Sequence, residues 1–232
     1  VQYADYAHWQ RQQLQGDVLQ QHLNYWSKQL ADAPPLLELP TDRPRPALQT
    51  ANGAIFNQPL SVELSEKLRH FSQQSGKTLF MTLLTGFTLL LHRYSGQTDI
   101  SVGSPIAHRP NQQLEGLMGL FLNTLVLRTD LSGNPTVADL LSRVQTVALD
   151  AYEHQDVPFE FLSDQLKPQR HLDHSLWFQV MFILQNTPQQ TLGAANVEMS
   201  SLPIKKEVAK FDITLSVEEH ETGMKVEWEY NT

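Results

Sequence analysis

The stretch that most constrains this chain runs from Gly119 to Arg128 and reads Gly-Leu-Phe-Leu-Asn-Thr-Leu-Val-Leu-Arg. A strand with one wet face alternates apolar and polar residues, whereas a strand covered on both faces reads as a nearly unbroken apolar run. The stretch therefore predicts a central strand of a layered structure. Two polar neighbours, Asn123 and Thr124, interrupt it. Adjacent strand residues point to opposite faces, so each breaks a different apolar layer. A buried polar group without a partner costs about 1–3 kcal/mol, so both residues need fixed partners. Either they stitch the sheet to a neighbouring loop, or one of them faces a solvated channel.

The remaining pattern supplies the layers. Tyr3 to Leu30 is predicted helical in two pieces broken near Gly16-Asp17, with Leu19, Leu23, Trp26 and Leu30 on one stripe and Asp17 able to cap the second piece. Five prolines between Ala33 and Pro46 forbid helix and central strand, so this segment is an extended connector on a surface rather than a linker between domains. Gly53 to Leu60 predicts a strand, Ser61 to Gln74 and Thr78 to Tyr94 helices, and Thr98 to Ser104 a strand. Pro105 to Leu117 predicts a loop. Thr136 to Tyr152 is amphipathic, with Val137, Leu140, Leu141, Val144 and Ala148 on one face and a capping box from Thr136 and Asp139. A short helix follows Pro158, Leu176 to Leu184 is strand-like, and a hairpin closes the chain through Ile213, Leu215, Val217 and then Met224, Val226, Trp228, Tyr230. Strands alternating with helices indicate an α/β or α+β layered fold, a mixed sheet flanked by helices. The organisation expected is entry helices over 1–32, a proline-rich connector over 33–52 and a main α/β lobe over 53–232.

Composition narrows the function. Of the 232 residues, 41% are hydrophobic and 18% charged, enough to build a core. A net charge of -8 without a basic cluster disfavours nucleic acid as a partner. The chain has no cysteine, which removes disulfides, thiolate metal sites and cysteine nucleophiles and is compatible with a reducing cytoplasm. No signal peptide is visible, and the greasiest window, Leu79 to Leu91, is too short to span a bilayer. Neither a membrane nor a secretory destination is expected. A start without methionine and a stop at Asn231-Thr232 read as cuts within a longer polypeptide.

The candidate chemistry is sparse. In His154-Gln155-Asp156-Val157-Pro158-Phe159-Glu160, Pro158 is placed to open a helix and Asp156 to accept its first backbone donors. No nucleophile with a recognisable elbow accompanies the His and Asp, so a structural role is favoured there. His171 and His174 are three apart, but no HExxH-like spacing occurs and a metal site is not expected. Read from residues alone, this is an α/β domain without a convincing catalytic constellation.

Four stretches add a resemblance. Tyr3-Ala4-Asp5-Tyr6-Ala7-His8-Trp9 resembles the YxDFAxW-type motif of nonribosomal peptide synthetase condensation domains, and Met118 to Arg128 resembles their IGxFVNTLxxR motif. His154 to Glu160 matches HQDxPFE at every fixed position, and Arg170 to Phe182 is similar to RDxSRNPLFQVMF, ending on Phe178-Gln179-Val180-Met181-Phe182. In that last motif His171 stands where aspartate is usual, and Leu176-Trp177 replaces Pro-Leu, so its local turn is expected to differ.

The resemblance implies one lobe, the C-terminal one, of a two-lobed chloramphenicol-acetyltransferase-like fold. It implies a tunnel where donor and acceptor thioesters, each on the phosphopantetheine arm of a carrier domain, meet and form a peptide bond. The family's HHxxxDG motif is absent from this chain, so no catalytic residue is carried over, and the isolated segment is expected to be inactive and to need the upstream N-terminal lobe. Ser104, Arg109, Asn123 and Thr124 match positions at the tunnel floor. Tyr3, Asp5, Trp9, His154, Gln155, Asp156 and Pro158 match structural motif positions. The implied partners are that N-terminal lobe, donor and acceptor peptidyl carrier domains and an adjacent adenylation domain; no cofactor is bound directly. Intact HQDVPFE and FLNT favour an ordinary condensation subtype over epimerisation or heterocyclisation relatives. Alternative readings are a non-catalytic condensation-like binding lobe and a standalone acyltransferase of the same fold.

Overall fold

A computed structural model describes residues 1–109, 111–167, 172–185, 207–220 and 223–232. Helices α1 (Tyr3–Gln13) and α2 (Gly16–Leu30) come first, then β1 (Gly53–Leu60), α3 (Val62–Gln74), α4 (Leu79–Ser95), β2 (Asp99–Ile106), β3 (Asn123–Asp130), α5 (Val137–Glu153), α6 (Phe159–Leu166), β4 (Val180–Gln185), β5 (Ile213–His220) and β6 (Gly223–Asn231). The strands form one mixed sheet in the order β1-β6-β5-β4-β2-β3. Strand β4 lies parallel to both β2 and β5, and the other pairings are antiparallel. This is the mixed sheet flanked by helices that the alternation of elements implies.

Local chemistry explains the helix limits. The Thr78 hydroxyl accepts the Met81 N–H at 3.2 Å to start α4, and Gly96, at φ +73, ends it by donating to the His92 carbonyl at 2.8 Å. Thr136 and Asp139 form the reciprocal capping box of α5. Two sequence-based caps differ. Asp17 lies inside the first turn of α2, whose cap position is Gln15, and Pro158 sits just outside α6 at the cap position. Val137 is exposed, so the apolar face of α5 begins at Leu140.

The core lies between the sheet and the helices. Phe182 of β4 meets Phe80 and Phe87 of α4 at ring-centroid distances of 5.3 and 6.0 Å, and Phe87 also meets Trp228 of β6. Leu125 and Leu127 of β3 join the same core as Leu140, Leu141 and Val144 of α5. On β2, Gly103 lies against Phe178, whose ring occupies the space a Cβ would need.

The proline-rich segment packs onto this body. Gln179 accepts the Leu37 N–H at 2.8 Å and donates to the Pro35 carbonyl at 3.1 Å, and Leu37 is buried in the same core as Trp26 and Leu30. Arg45 is paired with Asp212, a bond that holds the guanidinium firmly in its charged form. Arg128 grips Asp99 at 2.7 Å and also donates to the carbonyls of Gln29, Ala31 and Asp32, which ties the end of α2 to the β2–β3 pair. Thus α2, connector and sheet share one core.

Candidate functional site

The long apolar run does not form one strand. Strand β3 begins only at Asn123; Met118, Leu120 and Leu122 precede it and are exposed, Met118 to 94%. Their alternate, Phe121, is buried in a small satellite core with Tyr6 and Leu114. The sequence expectation of a strand from Gly119 fails because the segment has no ladder partner: the β2–β3 register ends at Ile106 opposite Asn123. What reads as strand is instead a loop that clamps one aromatic inward and turns three apolar side chains outward.

Helix α1 supplies the clamp. The Tyr3 hydroxyl donates to the Leu120 carbonyl at 2.8 Å, and the rings of Tyr3 and Tyr6 lie 5.2 and 4.8 Å from Phe121. Asp5 accepts the Gln2 N–H at 2.8 Å and starts the helix, while Trp9 remains half-exposed beside Tyr6. Arg109 stacks its guanidinium 4.1 Å over Phe121 and donates to the carbonyls of Leu114 and Glu115. Tyr6 and Phe121 carry no separate sequence signal of chemistry, although Tyr3 and Tyr6, three apart, are legible as one helix face.

Asn123 joins this loop to the turn between α5 and α6. Its Nδ2 donates to the carbonyls of Gln155 and Val157 at 2.8 and 2.9 Å. Its Oδ1 accepts the N–H of Phe159 at 2.9 Å and of Thr124 at 2.8 Å. Asn123, not Asp156, therefore holds the first donor of α6. Ser104 is buried and donates to the Phe182 carbonyl at 3.0 Å, and Thr124, partly exposed, points to the opposite face from Asn123. Of the sequence-selected positions, Ser104, Asn123 and Thr124 lie together at the end of the β2–β3 pair, and Arg109 lies on the loop leaving it.

The turn itself is walled by α2. Trp26 Nε1 donates to the His154 carbonyl at 2.9 Å, and the His154 ring stacks on Tyr25 at 4.0 Å and contacts the Asp150 carbonyl through Nδ1. Burial lowers the His22 pKa, and the neighbouring His154 lowers it further, while Asp156 opposes both. Burial first, and Asp150 second, raise the Tyr25 pKa far above its ordinary value of 10. This has a consequence for alkaline stability. With a raised folded value the neutral phenol favours the fold, fully so below pH 10, and that contribution is lost as pH climbs above 10 and the unfolded phenol ionises first. Phenolate absorbance should show Tyr25 ionising only as the protein unfolds; its ionisation near pH 10 with the fold intact would contradict this.

Trp177 has a left-handed backbone, φ +58, and its ring meets Phe159 edge-on at 5.7 Å. His171 lies outside the described residues. Among the described residues no group of three His, Asp or Glu is placed to hold a metal, and no helix is long and apolar enough to cross a membrane.

Comparison with known proteins places this geometry. A family model described as "Condensation domain" matches residues 1–232. A linear gramicidin synthase of Brevibacillus parabrevis is 53% identical over 234 residues, covering 100% of this chain and 3% of that protein. A plipastatin synthase of Bacillus subtilis is 41% identical over 232 residues, covering 100% of this chain and 6% of that protein. Among solved structures, the X-domain from teicoplanin biosynthesis superposes with a TM-score of 0.89 at 25% identity, over 99% of this chain and 54% of that one. The chain thus spans about half of that solved domain and a small part of the curated synthetases. It belongs to the condensation-domain family of nonribosomal peptide synthetases.

Proposed function

We propose that this chain is one wall of a cleft in which a peptide bond forms between two thioesters carried on phosphopantetheine arms. The acceptor amine attacks the donor thioester carbonyl, a C–N bond forms as the C–S bond breaks, and the carrier thiol leaves. The imidazole that orients or deprotonates the amine belongs, in this reading, to the upstream N-terminal lobe; this chain contributes the floor of the tunnel and surface for carrier domains. An adjacent adenylation domain and a cytoplasmic setting complete the proposal.

The observation that carries it is the family match along the whole length, together with a loop between β2 and β3 that is clamped from beneath and turns Met118, Leu120 and Leu122 outward. Exposed apolar side chains on such a fixed loop are suited to covering by a second apolar surface. Thr124 and the Ser104–Asn123 strand ends lie at the base of that loop.

The test joins this chain to the N-terminal lobe of its own polypeptide, with donor and acceptor carriers loaded. Mass spectrometry of the acceptor carrier is expected to show the elongated peptidyl thioester. Its absence with folded lobes and loaded carriers sinks the reading. One observation favours a second reading, a lobe kept for binding alone: the teicoplanin X-domain, similar at a TM-score of 0.86, is described in complex with OxyB. Stable capture of a protein partner with no transfer under the same conditions would select it.

A further inference from the structure

The loop between β2 and β3 is fastened at both of its ends to the same turn. At the exit, Asn123 holds the carbonyls of Gln155 and Val157. At the entry stands His108, buried, with its Nε2 3.4 Å from Asp156 Oδ1. The backbone there is left-handed, φ +38, a conformation that few side chains adopt without strain and that glycine adopts freely. A side chain kept at such a position needs a compensating interaction from its surroundings. The carboxylate of Asp156 is the partner on hand.

We propose that His108 is a positioning residue: its imidazole ties the entry of the loop to the turn through Asp156 and so presets the ridge of Met118, Leu120 and Leu122. The contact is an ion pair when the imidazole is protonated. Asp156 also acts electrostatically on Tyr6 of α1 and His22 of α2, raising the pKa of each, and the His22 ring meets that of His154 edge-on at 5.2 Å. The significance of the ridge rests on the cleft-wall reading above; the tie does not.

The experiment compares His108→Gly, Asp156→Asn and the double variant at one pH, by hydrogen exchange of the loop and by melting temperature. Each single variant is expected to speed exchange in the loop several-fold. His108→Gly should melt only slightly below the parent, because relief of the left-handed backbone offsets part of the lost burial and contact, and a side chain serving only bulk packing would move the two readouts together. The double variant should exchange no faster than the single ones. Parental exchange in either single variant, or additive acceleration in the double, overturns the tie. If His108→Gly fails to fold, Asp156→Asn, whose side chain is half-exposed, carries the same test. In the two-lobed polypeptide, a lower kcat with unchanged KM for the carriers is expected. A loosened loop with full turnover would keep the tie and discard the cleft-wall reading. A parental loop with lost turnover would discard the tie.

Discussion

Trp26→Ala is expected to destabilise the chain by about 3–5 kcal/mol, the range for truncating a buried aromatic that leaves a cavity. Trp26 is 2% exposed and lies in the main core with Leu30 and Leu37, so the space it vacates is walled by helix, connector and sheet together. It also carries a specific bond, Nε1 to the His154 carbonyl at 2.9 Å, which anchors α2 to the turn that Asn123 grips from the other side. The two contributions separate by chemistry. Trp26→Phe retains most of the buried area but withdraws the donor, leaving the His154 carbonyl unpaired, so a smaller loss of about 1–2 kcal/mol is expected. Urea denaturation of the parent and both variants decides this. An alanine variant within about 1 kcal/mol of the parent would mean that α2 is not integral to the core, because even one lost core methylene is felt at that scale.

The second large effect is expected at Asn123. Alanine there removes four hydrogen bonds at once, two to carbonyls and two from backbone N–H groups. At roughly 0.5–1.5 kcal/mol each, and with little water available to replace them, the loss is about 3 kcal/mol. Asn123→Asp discriminates between shape and bonding. It keeps an acceptor for Phe159 and Thr124 but turns a carboxylate oxygen toward the carbonyls of Gln155 and Val157, so it should be at least as damaging as alanine. A near-parental aspartate variant would contradict the assignment of Nδ2 to those carbonyls. In the two-lobed polypeptide, condensation is expected to fall with stability, because Asn123 spends every polar atom on the backbone of its own chain. A variant that folds as the parent does but no longer transfers would instead give Asn123 a direct part in the chemistry.

The contrast between Asn123 and Asp156 shows where sequence reading stops. Both are polar residues beside apolar runs, and the sequence points only to Asp156 as a cap for the helix that follows Pro158, whereas Asn123 holds its first N–H. Proximity along the chain favours Asp156, two residues before Pro158. Asn123 wins because the sheet brings it under that turn with a donor and an acceptor available together, whereas a carboxylate offers acceptors only. Asp156 is left 3.4 Å from His108, and its charge acts on Tyr6 and His22. Those three come from separate elements, and no spacing rule links them.

The elements themselves were largely legible because their causes are local. The alternation in β5 and β6, the threonine caps of α4 and α5 and the stripe of α2 depend on residues a few positions apart, so period and capping chemistry suffice to locate them. The proline count between Ala33 and Pro46 likewise rules out regular structure without reference to the rest of the chain. The family resemblance was legible for the same reason, as short motifs in order. Tertiary structure alone decided which apolar residues are buried. In Gly119–Leu122, strand pattern and loop pattern coincide, and only the end of the β2–β3 ladder at Asn123, with Tyr3 and Tyr6 arriving from α1, turns Phe121 inward and Leu120 and Leu122 outward. Hydrophobicity sets a residue's preference for a core, but which core is within reach depends on contacts across more than a hundred residues, such as the Tyr3–Leu120 bond.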